Sequence, residues 1–468
     1  MQSVAHFHYH ASTLLHLCNR GHEVIGLFDE PWSKGTISSA VLRFKADHSG
    51  FTYSWLKRRS GKGRRNLFEL REIINYARYL HIREQSDFYL ERWLRYTPAW
   101  FQKLVSFRIR RRVIHAMLGN RYIYRFLRGV EKYMPPDKAI MRCIADYRPD
   151  VIVASPCNIR YSEEIEYIKA GKAMGLPTVI PVLSWDNLTT KGLYHIVPDM
   201  VLAWNAAHRD EASRYHNVPE TKIVVSGSSV FDFWKEIQVP TLDYQEFCAT
   251  TGLDSSQPLV LYLGSSTYIS GDELWLVRKF VAAMRSSGDP LLHNANIMVR
   301  PHPSNAKWCR NLSERNVVVW PRNGDLPDTR EGKLDFYNAL HHAFVTVGVN
   351  TTGMIDAVIN DKPGIAIMSD GYKRTQEKTL HFRHLLESGA IYLCGSEESA
   401  TAQILQIYHG QDTKCEARKK FVSTYIRPRG ADMPAGLAAA MAIEALAGKT
   451  RVSSIDTYLR KSPADLTT

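Results

Sequence analysis

One rhythm constrains this chain more than any other feature. After residue 150, short apolar runs (DVIVASP, PTVIPVLSW, PDMVLAWN, KIVVSGSS) alternate with helix-patterned segments such as SEEIEYIKAGKAMG and AAHRDEASRYHN. A second series opens near 258 with PLVLYLGSS and continues through NIMVRPHP, NVVVWP, FVTVGVN, PGIAIM and AIYLCG. DELWLVRKFVAAMRSS, KLDFYNALHHA and TTGMIDAVIND are the helical patterns between them. Runs that are apolar throughout suit strands buried on both faces, the condition of a parallel sheet covered by helices. The expected class is therefore α/β. Two Rossmann-like domains are expected, over 1–232 and 233–448, joined near GSSVFDFWKEIQVP, with a loose polar tail at 449–468. A chain of 468 residues is long enough for two such cores.

The first series starts oddly. YHASTLLHLCNRGHEVIGLF reads as helix, stop at Gly21, then strand, which is a βα unit lacking its first strand. Either the start is truncated or the sheet is built without that strand.

Composition narrows the partners. The net charge of +13 is concentrated: residues 51–150 hold 23 Lys and Arg against 9 Asp and Glu, and the remainder holds 37 against 38. A chain that coats nucleic acid is basic more evenly, so no nucleic-acid partner is expected. The same segment has 18 aromatic residues. Residues 51–147 read as a basic helical insertion in the first domain. Its readings are a docking face for an anionic membrane or lipid-pyrophosphate acceptor, a nucleic-acid contact, or an aromatic core with a solvated basic face; the last is favoured on structure, and the membrane or anionic acceptor over nucleic acid. No run is long and apolar enough to span a bilayer, and MQSVAHFHYHAS has no signal-peptide core. Seven scattered cysteines without a CxxC pair fit a reducing cytoplasm better than a disulfide framework or a zinc site. The expected location is cytoplasmic, with peripheral contact at the inner face of the membrane.

In open parallel sheets, ligands bind beyond the carboxyl ends of the strands. In the second domain those ends carry Gly264, Ser265 and Ser266, then Arg300, His302, Pro303 and Ser304, then Asn350, Thr351 and Thr352. Asn350 or Thr351 is placed to cap the next helix, whose N-terminus would receive a phosphate. Arg300 and His302 would add charge or donors, and Asp356 would reach a ribose diol. Each tip also has an ordinary reading as a loop or an N-cap; three tips in one sheet favour a ligand. In the first domain, IPVLSWDNLTTKG ends a strand with Trp185, Asp186, Asn187 and Lys191. Trp185 offers an indole for a sugar, Asp186 a carboxylate for an attacking hydroxyl, and Lys191 a cation for a phosphate or for Asp186. The competing reading is an Asx-turn at Asp186 and Asn187. His6, His8 and His10 cluster at the N-terminal turn without matching acidic ligands, so no metal is expected there, and His8 is placed on the acceptor side.

This set resembles GT-B glycosyltransferases. KIVVSGSSVFDFW is similar to the interdomain crossing of non-hydrolysing UDP-N-acetylglucosamine 2-epimerases. RPHPSN with GVNTTGMIDAVINDKPGIAI looks like motifs shared by CDP-glycerol glycerophosphotransferases, polysialyltransferases and capsule Kdo transferases. The resemblance covers roughly 150–400 and implies that His302, Pro303, Thr351 and Thr352 hold donor phosphates. The whole chain also resembles uncharacterised bacterial proteins with SWDNLTTKG, RPHP and TQExTLHF blocks, which adds Gln376 and Glu377 to the donor side. Teichoic-acid-type transferases have Trp-His-Gly-Thr where this chain has Trp185-Asp186-Asn187-Leu188, so the resemblance makes Asp186 the base. The implied activity is metal-independent and needs no cofactor. It is transfer of a sugar from a nucleotide-sugar donor to a surface-polysaccharide or glycolipid acceptor, with inversion and retention both open. The rivals are a nucleotide-sugar 2-epimerase or hydrolase, and a non-catalytic binding protein on the same fold.

Overall fold

The computed structural model describes residues 1–459 except 62, 323, 325, 326 and 328. It has the expected α/β class. One compact unit is Met1–Asp232 together with the chain from Ser423 on, and the other is Phe233–Val422.

The first unit contains β1 (Val24–Phe28), β2 (Phe51–Trp55), β3 (Ile152–Val153), β4 (Thr178–Pro181), β5 (Met200–Ala203) and β6 (Ile223–Val225). β3 to β6 form a four-stranded parallel sheet in chain order, and β1 and β2 form a separate parallel pair. Residues 51–55, read as the start of the basic insertion, are thus a strand. The helices of the insertion begin at Arg64.

The missing strand has a physical counterpart. β1 bonds to β2 through Val24 and Phe28, and β3 bonds towards β4 through Ile152 and Ala154. Ile25, Leu27 and Val153 therefore turn their backbone groups the other way. Among the described residues no strand occupies either of those edges. A cavity of about 800 Å³ is lined by Ile25, Leu27, Val153 and Leu202. Met1 sits at one end of the open β1 edge. Its ammonium donates to the Leu27 carbonyl at 2.7 Å, and its carbonyl accepts from the Asp29 N–H at 3.1 Å, the bond pair of a parallel bridge.

The second unit holds β7 (Leu259–Leu263), β8 (Asn296–Arg300), β9 (Val317–Val319), β10 (Ala343–Gly348), β11 (Gly364–Ile367) and β12 (Tyr392–Cys394). They form one parallel sheet in the order β12-β11-β10-β7-β8-β9. β7, β8, β10 and β11 are almost wholly buried, which is why their sequences are apolar runs.

The sequence reading carried the second domain to 448. Instead the helix Ala435–Ala447 belongs to the first unit and packs on the helix Phe7–Asn19. At Gly436 an added Cβ would lie 2.1 Å from Ser12 Oγ, so only glycine permits the approach. The expected tail also differs. Val452–Tyr458 is helical, Ile455 is fully buried, and Asp456 bonds Arg209 at 2.9 Å and Arg429. Residues 460–468 of that tail lie outside the described residues. An alanine-rich helix shows its period in the sequence but not which sheet it will cover.

Candidate functional site

The sheet order of the second unit fixes where a ligand can enter. From β7 the chain runs outward to β8 and β9, then returns to place β10 on the other side of β7. The ends of β7 and β10 therefore diverge at a topological switch point, where open α/β sheets form a crevice. Gly264-Ser265-Ser266 follows β7, and Asn350-Thr351-Thr352 follows β10. The loop Pro301–Ser304 follows β8 directly beside them. Gly264 is the close point of these tips. Its N–H donates to the Arg300 carbonyl at 2.9 Å, and a Cβ there would lie 3.2 Å from that oxygen and from the His302 nitrogen.

Not every candidate faces this crevice. Ser265 is fully buried, and its hydroxyl accepts the Asn350 N–H at 3.3 Å. Asn350 turns inward, donating through Nδ2 to the Thr375 carbonyl at 2.6 Å, so it does not cap the helix. The N-cap of the helix Gly353–Ile359 is Thr352, without a side-chain bond, and Thr351 Oγ1 accepts the Gly353 N–H at 3.4 Å. Arg300 is also turned away from solvent. It pairs with Asp335 at 2.8 Å and stacks over Phe336. Asp356 does not reach towards a ribose: it is buried and accepts the Trp234 indole N–H at 2.8 Å. Gln376 is a buried strut that donates to the Val349 and Ile367 carbonyls at 3.0 and 2.9 Å, tying the ends of β10 and β11 together. Glu377 is exposed and pairs with Lys373 at 3.2 Å. Ser265, Asn350 and Gln376 satisfy backbone groups around the strand tips, while Arg300, Asp356 and Glu377 bond other side chains; composition alone distinguishes neither use from ligand binding.

The crevice itself is thus a set of neutral donors. Ser266, Ser304, Thr351 and Thr352 supply hydroxyls at the surface. His302 caps the helical segment Pro303–Asn311, its Nδ1 accepting the Ser304 N–H at 3.1 Å. Burial pushes its imidazole down to about 4. A neutral ring that accepts at Nδ1 carries its proton on Nε2 and is a donor there. Two positioning residues escaped the sequence reading. Glu273 accepts the Ser265 N–H at 3.1 Å and the Ser270 hydroxyl at 2.5 Å, and Asn305 donates to the Ser265 and Ser270 carbonyls. Together they hold the β7 loop.

In the first unit, Trp185 is buried. Asn187 is fully buried with its amide bonded to Asn158 and its carbonyl to the Tyr194 hydroxyl. Neither presents its polar edge to solvent. Asp186 receives Ser184 Oγ at 2.5 Å, Thr190 Oγ1 at 2.8 Å and Lys191 Nζ at 2.9 Å, and it makes no side-chain cap. The Asx-turn reading therefore fails at Asp186, and Lys191 takes the carboxylate as its partner. The basic insertion clamps this loop from behind. Arg78 donates to the Leu188 and Lys191 carbonyls, Gln85 to that of Thr189 and Tyr79 to that of Lys191. His8 bonds the Ala5 carbonyl, while His6 and His10 are both pushed down to about 3, by burial first and then by the N-terminal ammonium.

A second cavity in this unit, of about 880 Å³, lies at the tips of β1, β2 and β3 and was not picked out from the sequence. Its wall includes Arg58, Arg64, Arg65, Arg95 and Arg160. Arg58 pairs with Asp29, Arg64 with Glu163 and Arg65 with Glu69. Among the described residues no carboxylate pairs with Arg95 or Arg160. The Arg160 guanidinium is held between the Tyr96 and Tyr161 rings, 5.0 and 4.5 Å from their centroids. Two helices, Arg64–Arg78 and Ala99–Ser106, begin at this cavity with neither a side-chain cap nor an acidic first turn. The local charge excess was the available signal. Its convergence on one cavity needs the fold.

No family model matches the chain, and no curated protein matches it. Among solved structures, it is similar to a putative UDP-N-acetylglucosamine 2-epimerase from Listeria monocytogenes, with 12% identity over 67% of this chain and 78% of that one and a TM-score of 0.46. The UDP-GlcNAc 2-epimerase from Neisseria meningitidis bound to UDP-GlcNAc is similar at 12% identity over 69% and 80%, with a TM-score of 0.42. The wall teichoic acid polymerase TagF is similar at 13% identity over 56% of this chain and 60% of its own length, with a TM-score of 0.36. Similarity at this level assigns no residue a role.

Proposed function

We propose that the chain is a GT-B-type glycosyltransferase that moves a sugar from a nucleotide-sugar donor to a surface-polysaccharide or glycolipid acceptor. The observation that carries this reading is the β7/β10 switch point, with Ser266 after β7, Thr351 and Thr352 after β10, and His302 at the neighbouring β8 tip with its Nδ1 accepting the Ser304 N–H. Neutral donors at strand ends suit the phosphates of a nucleotide and stabilise the charge that builds on the leaving group. Pro303 and Ser304 would keep the histidine loop in place. Asp186 is the base proposed for the acceptor hydroxyl, and its bonds from Ser184, Thr190 and Lys191 fix its direction. The arginine cavity of the first unit would receive the acceptor's anionic group.

The test is calorimetry against UDP, CDP, CMP, GDP and TDP. Selective binding of one nucleotide, weakened tenfold or more in His302→Ala, supports the donor site. Absence of binding to all five by folded protein overturns it. His302→Asn keeps an acceptor for the Ser304 N–H and separates loss of the cap from loss of the ligand donor. A second reading, a nucleotide-sugar epimerase or hydrolase, would use the same switch-point crevice. It predicts donor turnover with no acceptor present.

A further inference from the structure

The helices Ala99–Ser106, Arg108–Leu118 and Arg121–Tyr133 follow one another and pack in sequence. Their inner faces already supply the aromatic core of the insertion, through Phe101, Val105, Leu118 and Tyr124. Yet each also bears an outer apolar stripe. Ile109, Val113 and Met117 are exposed at four-residue spacing, with Ile109 at 80%. Tyr122, Phe126 and Val130 continue that spacing on the next helix and Tyr133 follows three residues on, with Phe126 at 69% and Tyr133 at 83%. Trp100, Leu104 and Phe107 form a shorter stripe on and just after the first helix. Residues four apart lie on one helical face, so these are ordered stripes rather than scattered exposed side chains. Folding of the unit does not require them, and a monomer surface rarely gathers so much apolar area.

Charge decides what covers this face. Residues 99–133 contain nine Lys and Arg and one acidic residue, Glu131, which is fully buried. Several cations sit directly on exposed rings: Arg110 over Phe107 and Arg121 over Tyr122, both at 4.8 Å, and Lys132 over Tyr133 at 5.8 Å. A second copy of the chain would bring like charges together. An apolar protein partner would leave the arginines unpaired. A surface with an apolar interior and an anionic skin matches both components, with aliphatic and aromatic side chains entering the acyl boundary and guanidinium groups meeting phosphates.

We infer that the face formed by these three helices docks on an anionic lipid bilayer. The helix Ala99–Ser106 joins two features, since its start lines the arginine cavity and its outer side carries the first stripe. Docking therefore sets the cavity beside the lipid surface, where the anionic group of a lipid-linked acceptor resides. The lipid contact stands on the stripes and charges alone. The link to an acceptor rests on the transferase reading.

The experiment is cosedimentation of the full chain with vesicles of phosphatidylcholine, and of phosphatidylcholine mixed with phosphatidylglycerol. Wild type is expected to bind the mixed vesicles, less tightly as salt rises. Ile109→Ser with Phe126→Ser should reduce binding at least tenfold, with thermal stability unchanged because both side chains are already in water. Arg108→Gln with Arg112→Gln should weaken binding by roughly fivefold for each arginine removed. Nucleotide binding by the second unit should be the same in all variants, so failure of the lipid inference and failure of the donor site are read separately. Three results would overturn the proposal: no binding to mixed vesicles, a wild-type dimer in sedimentation equilibrium that Ile109→Ser with Phe126→Ser dissociates, or tighter binding to a DNA oligonucleotide that the apolar substitutions leave untouched.

Discussion

Trp234 donates its indole N–H to Asp356 Oδ1 at 2.8 Å inside the second unit. Burial is the dominant influence on this carboxyl and pushes it up to about 7, with the Trp234 bond and the Arg300 charge opposing in part. A carboxyl whose folded value lies above its unfolded one contributes stability that is full at low pH and lost as pH rises. The window runs from about 4 to about 7, and the loss is up to about 4 kcal/mol. Urea unfolding at pH 5 and pH 8 should show wild type weaker at pH 8. Asp356→Asn retains an acceptor for Trp234 and should flatten that difference. An equal pH dependence in the two proteins would mean that Asp356 is ionised in the folded state throughout.

The opposite sign is expected at Glu131. Burial works against its ionisation, but the Arg71 guanidinium, His195 and the Lys169 ammonium outweigh burial and hold the carboxyl down at about 2. Arg71 Nη2 lies 2.6 Å and Lys169 Nζ 2.9 Å from the same oxygen, and Arg71 also pairs with Glu166. This network joins the helix Arg64–Arg78 to the helices Arg121–Tyr133 and Glu164–Ala173. Its contribution is present above pH 4.5 and is lost as pH falls towards 2. Glu131→Gln leaves two buried cations short of a partner and should cost about 3–5 kcal/mol. Thermal unfolding at pH 7 reads the loss, and a change under 1 kcal/mol would show that water reaches the network.

Much of the fold was legible because buried parallel strands carry their environment in their composition. LVLYL and GIAI are apolar throughout and NIMVR at its three middle positions, and each is a strand. A helix followed by VIGLF reads as a βα unit without its first strand, and β1 and β3 each have an edge that no described strand occupies. Site residues were less readable for a physical reason. A strand tip needs polar side chains both for its own carbonyls and for a ligand, and the same residue types serve both. Gln376 and Asn350 went to the backbone, and His302 gave its Nδ1 to the Ser304 N–H. The fate of the helix Ala435–Ala447 was hidden because an alanine-rich surface fits either unit.

Asp186 and Lys191 form an ion pair at 2.9 Å that both hydroxyl donors reinforce. In the proposed transfer Asp186, as the acceptor's base, would act in the chemical step and not in donor binding. Asp186→Asn should therefore lower transfer by two orders of magnitude or more, on the scale of general-base catalysis. The affinity for the nucleotide selected by calorimetry should stay within about twofold, because the loops proposed for the donor lie in the other unit. Retained transfer in Asp186→Asn would remove the base from this loop.

The open edges of β1 and β3 make a prediction about stability. Ile25 and Val153 present apolar side chains to a cavity of about 800 Å³, and Met1 already makes one parallel bridge at its end through Leu27 and Asp29. A strand threaded between the two edges would satisfy both ladders and bury Ile25 and Val153. An engineered extension of about five β-branched residues fused ahead of Met1, matching the length of β1, is in position to do this. A gain of a few kcal/mol would raise the Tm by several degrees at this chain length. Amide exchange at Ile25, Leu27 and Val153 should slow in the extended protein, while exchange in the second unit stays constant. An unchanged Tm with unchanged exchange at Val153 would mean that the two edges are too far apart to accept one strand.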